Sequence, residues 1–246
     1  MSGERATMIL QGVREDVARQ QPRAGATLPD DGYMLLAALS NYDRPTYLHS
    51  LRVGKLAAEI ARVAGLDREE CWLAGLLHDC GKLLTPLSVL RKAGHLSGEE
   101  IAIVRRHAAE GATLIRRYPA LADLSPIIAD HHERPDGAGY PTGSTWSTPS
   151  ARAVALANQL DALTYHPNLH TMVMEQPAAI KETLRREAGR AWDEDLALKV
   201  AANWHRLAES AQQEALACVA ARRGQPEPIE PDYAEAAARA LSVGQL

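Results

Sequence analysis

Five of the nine histidines in this 246-residue chain stand among apolar residues: His49, His78, His107, His131 and His132. His49 shares a helical stripe with Val53, Leu56, Ile60 and Val63. His78 follows Leu76 and Leu77, His107 shares a face with Ile103, Val104 and Leu114, and His131-His132 follow Ile127 and Ile128. A single histidine so placed is ordinarily a satisfied core residue. Five on the inner faces of four successive helices are hard to explain as packing. A buried neutral imidazole needs a partner, and a metal centre would satisfy all five together. Asp79 directly follows His78. Adjacent residues at a helix end point roughly 100° apart, so each can reach a different ion or the carboxylate can bridge two. Lys82, one turn later, is positioned to neutralise an oxyanion beside the ions. Histidine with carboxylate favours Fe, Mn or Zn over Mg or Ca.

These residues need helices to bring them together, and helical spacing dominates the sequence. No stretch alternates convincingly as a strand. The chain has no Phe and is rich in Ala, which favours closely packed helices, so the expected fold class is all-α. Residues 5–20 carry Met8, Ile9, Val13 and Val17 at helical spacing, and 20–31 read as a linker. A helix is expected from about Leu48 to Ala64. Asp67 with Glu70 forms a capping-box pattern before a helix that runs to Asp79 and stops near Gly81. Ser97 with Glu100 repeats the pattern before a helix reaching about Arg117. Ser125-Pro126 and Thr148-Pro149 each put a capping hydroxyl before a proline. Between those two helices lies a Gly- and Pro-rich loop, 134–147. The chain is again helical from about Pro177, with a Pro-rich joint at 224–232 and no internal repeat.

Composition narrows the function. Hydrophobic residues make up 46% and charged residues 24%, with a formal net charge of −4, so no global charge draws the chain to polymeric nucleic acid or a membrane surface. No apolar run reaches the roughly 18 residues of a membrane span. Residues 1–20 lack the apolar core of a signal peptide. Cys71, Cys80 and Cys218 show no CxxC spacing, and the first two read as small core hydrophobes. A reducing cytoplasm is the expected location.

The order His49, His78-Asp79-Cys80-Gly81-Lys82, His107 resembles the pattern of HD metal-dependent phosphohydrolases. The segment His131-His132-Glu133-Arg134-Pro135-Asp136-Gly137-Ala138-Gly139-Tyr140-Pro141 resembles the HHExxDGxGYP segment that names the HD-GYP family, with weaker echoes at Ala151-Arg152, Asp161 to Thr164 and Gly189 to Asp193. The likeness covers roughly residues 32–205, leaving an N-terminal extension and linker (1–31) and a C-terminal helical extension (206–246). It implies an HD-domain helical bundle with a metal site in its core. It also implies hydrolysis of cyclic di-GMP, or a related cyclic dinucleotide, to the linear dinucleotide or GMP. Iron or manganese would be the expected metal, with zinc, nickel and magnesium as further candidates.

The implied ligands are His49, His78, Asp79, His107, His131 and His132, with Asp79 bridging and Lys82 assisting at the phosphate. Asp136, Gly137, Gly139 and Tyr140 belong to the loop that shapes the substrate site and, in the family, also serves signalling partners. The chain departs from the family at three places. Asn158 stands where the family has its last ligand, an Asp; Asp161 lies one turn on, so either Asn158 or Asp161 completes the set. Pro45 replaces the Glu that accompanies a third metal, so two ions are expected. Tyr165 to His170 replace a basic substrate-binding stretch, and His166 and His170 there read as helix-end or solvent-facing residues.

For Glu133, the two readings, orienting a ligand histidine or pairing with Arg134 or Lys82, are equally open. Trp72, Trp146, Trp192 and Trp204 read as packing, and Arg105-Arg106, Arg116-Arg117 and Arg185-Arg186 as solvated faces. The helices from about Asp193 offer a face for a homodimer. Two rival functions stand beside the phosphodiesterase. One is a catalytically degenerate signalling module, favoured by Asn158 and the missing arginines. The other is an HD-type di-iron oxygenase with the same ligands, against which the GYP segment counts.

Overall fold

A computed structural model of the protein describes residues 3–164 and 177–221, all helix, turn and loop, with no strand among the described residues. The Tyr165–His170 run and the joint at 224–232 lie outside them. The helices are α1 (Gly3–Ala18), α2 (Asp30–Tyr42), α3 (Arg44–Ala64), α4 (Arg68–Leu77), α5 (Leu87–Leu90), α6 (Gly98–Arg105), α7 (His107–Ile115), α8 (Ser125–Asp130), α9 (Pro149–Thr164), α10 (Pro177–Glu187) and α11 (Glu194–Ala221). Short 3-10 turns occupy Cys80–Leu84 and Ala122–Leu124. No helix among the described residues is long and apolar enough to cross a membrane.

Helix α3 is the hub: α4, α9, α11 and α2 all pack on it. It starts four residues before the expected Leu48 because the Asp43 carboxylate accepts the Thr46 amide at 3.2 Å and caps the first turn. Gly65, at φ 73°, ends it in a left-handed cap. Gly54 and Gly75 let α3 and α4 meet closely, since a Cβ on Gly75 would lie 2.8 Å from the Gly54 Cα. Val53, Leu56 and Ile60 on α3, Leu76 and Leu77 on α4 and Leu156 and Leu160 on α9 fill the space between these helices. Trp72, Trp192 and Trp204 are buried in the same core and Trp146 packs at its edge, in keeping with their reading as packing residues. Val13 and Val17 of α1 belong to that core too.

Four details of the sequence reading are corrected. Asp67 caps α4 by accepting from the Glu69 and Glu70 amides at 2.9 and 3.0 Å, but the Glu70 carboxylate takes the Ser150 hydroxyl of α9, so the reciprocal half of the box is not made. The helix after Ser97, whose capping box is complete, does not run unbroken to Arg117. It breaks at Arg106, where His107 Nδ1 uses the Val104 carbonyl at 2.7 Å. Ser125 is not a cap; its hydroxyl donates to the Ala112 carbonyl at 3.0 Å and ties α8 to α7. Finally, α4 ends at Leu77 rather than Asp79, and the chain turns at once into the 3-10 segment. Thr148 does cap α9, accepting the Ala151 amide at 3.1 Å.

Candidate metal centre

The centre forms where the C-terminal end of α4 meets α3, α7, α9 and the segment after α8. His78 occupies the C-cap of α4, and Asp79 follows with φ −97° and ψ 8°. The Lys82 amide closes the turn onto the Asp79 carbonyl at 2.9 Å. This turn is pressed against the start of α7, where a Cβ on Gly81 would sit 2.0 Å from the His107 carbonyl oxygen and 2.6 Å from the Gly111 nitrogen. Only glycine permits that approach, and the approach brings Asp79 to His107.

Each inner imidazole is held in a single tautomer. His78 Nδ1 donates to the Gly75 carbonyl at 2.8 Å, His107 Nδ1 to Val104 at 2.7 Å and His131 Nδ1 to Ile128 at 2.7 Å. His49 Nδ1 donates instead to the Asp161 carboxylate at 2.7 Å. In the neutral rings Nε2 therefore carries a lone pair, and these nitrogens converge. His107 Nε2 lies 3.2 Å from His131 Nε2 and 3.3 Å from Asp79 Oδ1. His78 Nε2 and His49 Nε2 lie 3.3 and 3.6 Å from Asp79 Oδ2, and His49 Nε2 lies 3.0 Å from the Asn158 amide oxygen.

Acceptors facing acceptors repel unless a cation stands between them. Both His78 Nε2 and Asp79 Oδ1 are buried without a hydrogen-bond partner, which is costly for groups of this kind. Nitrogens bound to one ion at about 2.0–2.1 Å stand about 3.3 Å apart at a tetrahedral angle, close to the spacing seen. The residues present therefore fit divalent ions. They fall into two groups whose donor atoms lie within 4.8 Å of one another: His49, His78 and Asp79, and His107, His131 and His132. The Asp79 carboxylate touches both, Oδ2 toward the first and Oδ1 toward the second.

The electrostatics agree with this arrangement. Burial pushes His107 down to about 4, and burial with neighbouring imidazoles pushes His131 and His132 well below the usual histidine value. His49 is lowered by burial although Asp161 opposes it. Burial would raise the Asp79 carboxyl, but the His78 ring and the Lys82 ammonium, 2.7 Å from Oδ2, outweigh it and hold the group well below the ordinary carboxylate value. Neutral imidazoles beside an ionised carboxylate are the protonation states that metal binding requires.

Asp161 and Asn158 share a helix face, yet they meet His49 differently. Asp161 contacts the outer nitrogen, Nδ1, and is gripped by Arg52 through Nε to Oδ1 at 2.7 Å and Nη2 to Oδ2 at 2.9 Å. Asn158 reaches the inner nitrogen, Nε2. Asp161 is in neither ligand group among the described residues.

The loop 133–143 closes one side. Glu133 is buried and accepts the Thr142 amide and hydroxyl, both at 2.7 Å. The Arg134 guanidinium binds Asp136, and Lys82 binds Asp79. Asp136 also accepts the Ala138 amide at 3.0 Å. Gly137 has φ 73°, and a Cβ on Gly139 would strike the Arg134 nitrogen and the His132 carbonyl at 2.6 Å. Tyr140 stacks on His132 with ring centroids 4.4 Å apart, and the Arg105 guanidinium lies over the Tyr140 ring at 5.2 Å.

Sequence reasoning missed three of these contributors. Arg52 stands three residues after His49, between Leu51 and Val53, and a charged residue bordering the apolar stripe was the available signal. Arg105 was read only as a solvated residue; it is exposed, but it also covers Tyr140. Nothing in the spacing marked Thr142.

The HD domain family model matches residues 46–163, a span that contains all the ligand-bearing positions above. The chain is 39% identical over 137 residues to the cyclic di-GMP phosphodiesterase PA4108 of Pseudomonas aeruginosa, covering 52% of this chain and 33% of that protein. It is 35% identical over 125 residues to the 3'3'-cGAMP-specific phosphodiesterase 1 of Vibrio cholerae, covering 48% and 29%. The chain thus spans about a third of the length of these relatives. Its fold is similar to that of Bd1817, an HDG"Y"P protein from Bdellovibrio bacteriovorus, with a TM-score of 0.52 at 20% identity over 83% of this chain and 74% of that one. Over residues 46–163, then, this chain is similar to proteins of the HD domain family.

Proposed function

We propose that the chain is a metal-dependent phosphodiesterase acting on a cyclic dinucleotide, with cyclic di-GMP the first substrate to test and 3'3'-cGAMP the second. The observation that carries this reading is the convergence of imidazole lone pairs on both oxygens of Asp79. His49, His78, Asn158 and Asp79 Oδ2 would hold one ion; His107, His131, His132 and Asp79 Oδ1 would hold the other. Asp161 then acts as a positioning residue, fixing the His49 tautomer from outside the ligand set. Iron or manganese suits these donors best.

Divalent ions in this centre would supply a water of lowered pKa and positive charge for the phosphoryl oxygens. The side chains do the rest. Lys82 Nζ, the cation nearest Asp79, is within reach of a phosphate oxygen and offsets charge that grows there during attack. The loop from Asp136 to Tyr140 closes the site, with Tyr140 aligning His132 by stacking. The same loop is the proposed contact for signalling partners.

One observation favours a second reading. Asn158 brings a neutral amide to His49 Nε2 where a carboxylate would add charge, which suits a module that binds metal or nucleotide and signals without turnover. Hydrolysis of cyclic di-GMP and 3'3'-cGAMP by protein purified anaerobically and reconstituted with iron(II) or manganese(II) separates the two. A His78→Ala, Asp79→Ala double variant is the blank. Metal-dependent turnover absent from the blank is expected; no turnover of either nucleotide with metal bound would leave the signalling module.

A further inference from the structure

The two halves of the centre share one carboxylate, and they share it unequally. Asp79 Oδ1 faces the His107, His131 and His132 group and has no hydrogen-bond partner. Asp79 Oδ2 faces the His49 and His78 group and already accepts a charged hydrogen bond from Lys82 at 2.7 Å. The third contributor to the first group is a further imidazole, His132, held in place by the Tyr140 stack. The corresponding contributor to the second is Asn158, whose neutral amide oxygen is a weaker donor to such ions than an imidazole nitrogen. Asp161 lies behind His49, but its own charge is matched by the bidentate Arg52 guanidinium, so it orients His49 more than it adds negative potential.

From these asymmetries, and resting on the metal-centre reading above, we infer that the two ions are inequivalent and bind in order. The ion at His107, His131, His132 and Asp79 Oδ1 binds first and tightly. The ion at His49, His78, Asn158 and Asp79 Oδ2 binds second and is readily lost. An ion entering the second position meets the Lys82 ammonium on the same carboxylate oxygen. Two positive charges a few ångströms apart in a buried site repel strongly, so Lys82 must give up Oδ2 as that ion enters. An anionic phosphodiester offers Lys82 another partner, and the second ion therefore binds more tightly when such an anion is present. The first ion then has a structural role, and occupancy of the second couples to substrate.

The test is titration of the chelator-stripped chain with manganese(II), followed by calorimetry and by the electron paramagnetic resonance signal of the free ion. Two binding steps are expected, at least about tenfold apart in affinity, the scale on which changes around a metal site act. Asn158→Asp and Lys82→Met should each tighten the weaker step and leave the tighter one unchanged. His131→Ala should abolish the tight step, and His49→Ala the weak one. Lys82 is partly exposed, so its replacement tests the idea even if Asn158→Asp perturbs folding. Two indistinguishable steps, or loss of the tight step in His49→Ala rather than His131→Ala, would overturn the inference and leave the metal-centre reading intact. No binding of manganese at all would remove both.

Discussion

The Arg52 guanidinium and the Asp161 carboxylate form a buried, two-bonded ion pair, Nε to Oδ1 at 2.7 Å and Nη2 to Oδ2 at 2.9 Å. It joins α3 to α9 directly behind His49, and it holds the Asp161 carboxyl well below the ordinary carboxylate value even though burial opposes this. The pair links the stability of the bundle to the orientation of one candidate ligand.

Removing one partner leaves the other charged and buried. Arg52→Met is expected to destabilise the fold by about 3–5 kcal/mol, read from the urea midpoint. Arg52→Lys should recover only part of this, because an ammonium cannot reproduce the two-pronged geometry. If Arg52→Met unfolds at the wild-type urea concentration, the pair has no such role.

Gly81 marks the contact that brings Asp79 to His107. A methyl group there meets backbone rather than a side chain that could move aside. Gly81→Ala should therefore cost about 1–3 kcal/mol or more and should weaken manganese binding, since the turn and α7 must separate. A Gly98→Ala control, where a Cβ would meet nothing within 4 Å, should leave metal binding unchanged. Equal metal affinity in the two variants would show that the contact does not set the geometry.

Tyr140 stacks on His132, and the Arg105 guanidinium also lies over its ring. Tyr140→Phe preserves the ring and should retain manganese affinity, whereas Tyr140→Leu should lower it by roughly 10-fold as His132 loses its alignment. A loss of the same size in both variants would move the role of Tyr140 from the ring to its hydroxyl.

Cys71 and Cys80 are buried, and burial pushes both thiols up to about 12. The thiolate is the reactive form, so at pH 8 neither should react with iodoacetamide in the native protein, and both should react in urea. Mass spectrometry of the corresponding peptides reads this directly. Prompt native alkylation at Cys71 would indicate that α4 opens far more readily than its packing suggests.

Ions that bind the folded chain alone must stabilise it. Adding manganese(II) at about 100 times its dissociation constant should raise unfolding free energy by about 2.7 kcal/mol per site. The His78→Ala, Asp79→Ala variant should show no such response to metal. An identical thermal shift in that variant would place the stabilising ion elsewhere.

The sequence by itself determined the helical class and singled out His49, His78, Asp79, Lys82, His107, His131 and His132, because apolar spacing and adjacent ligand types are local properties of the chain. It also exposed Asn158 as a departure, since a neutral side chain at that place is visible without coordinates. Other features depended on contacts between residues far apart in the chain. Arg52 and Asp161 are separated by more than a hundred residues, and only the packing of α3 on α9 turns an arginine beside an apolar stripe into a clamp behind His49. The same packing separated Asn158, at the inner nitrogen of His49, from Asp161, at the outer one; both share a helix face, and the sequence left them as alternatives. The break at Arg106, the use of Glu70 for Ser150 and the bonds that Thr142 donates to Glu133 were also decided by the assembled structure. In each case a side chain had more than one partner open to it, and which one it took depended on the neighbours that tertiary packing supplied.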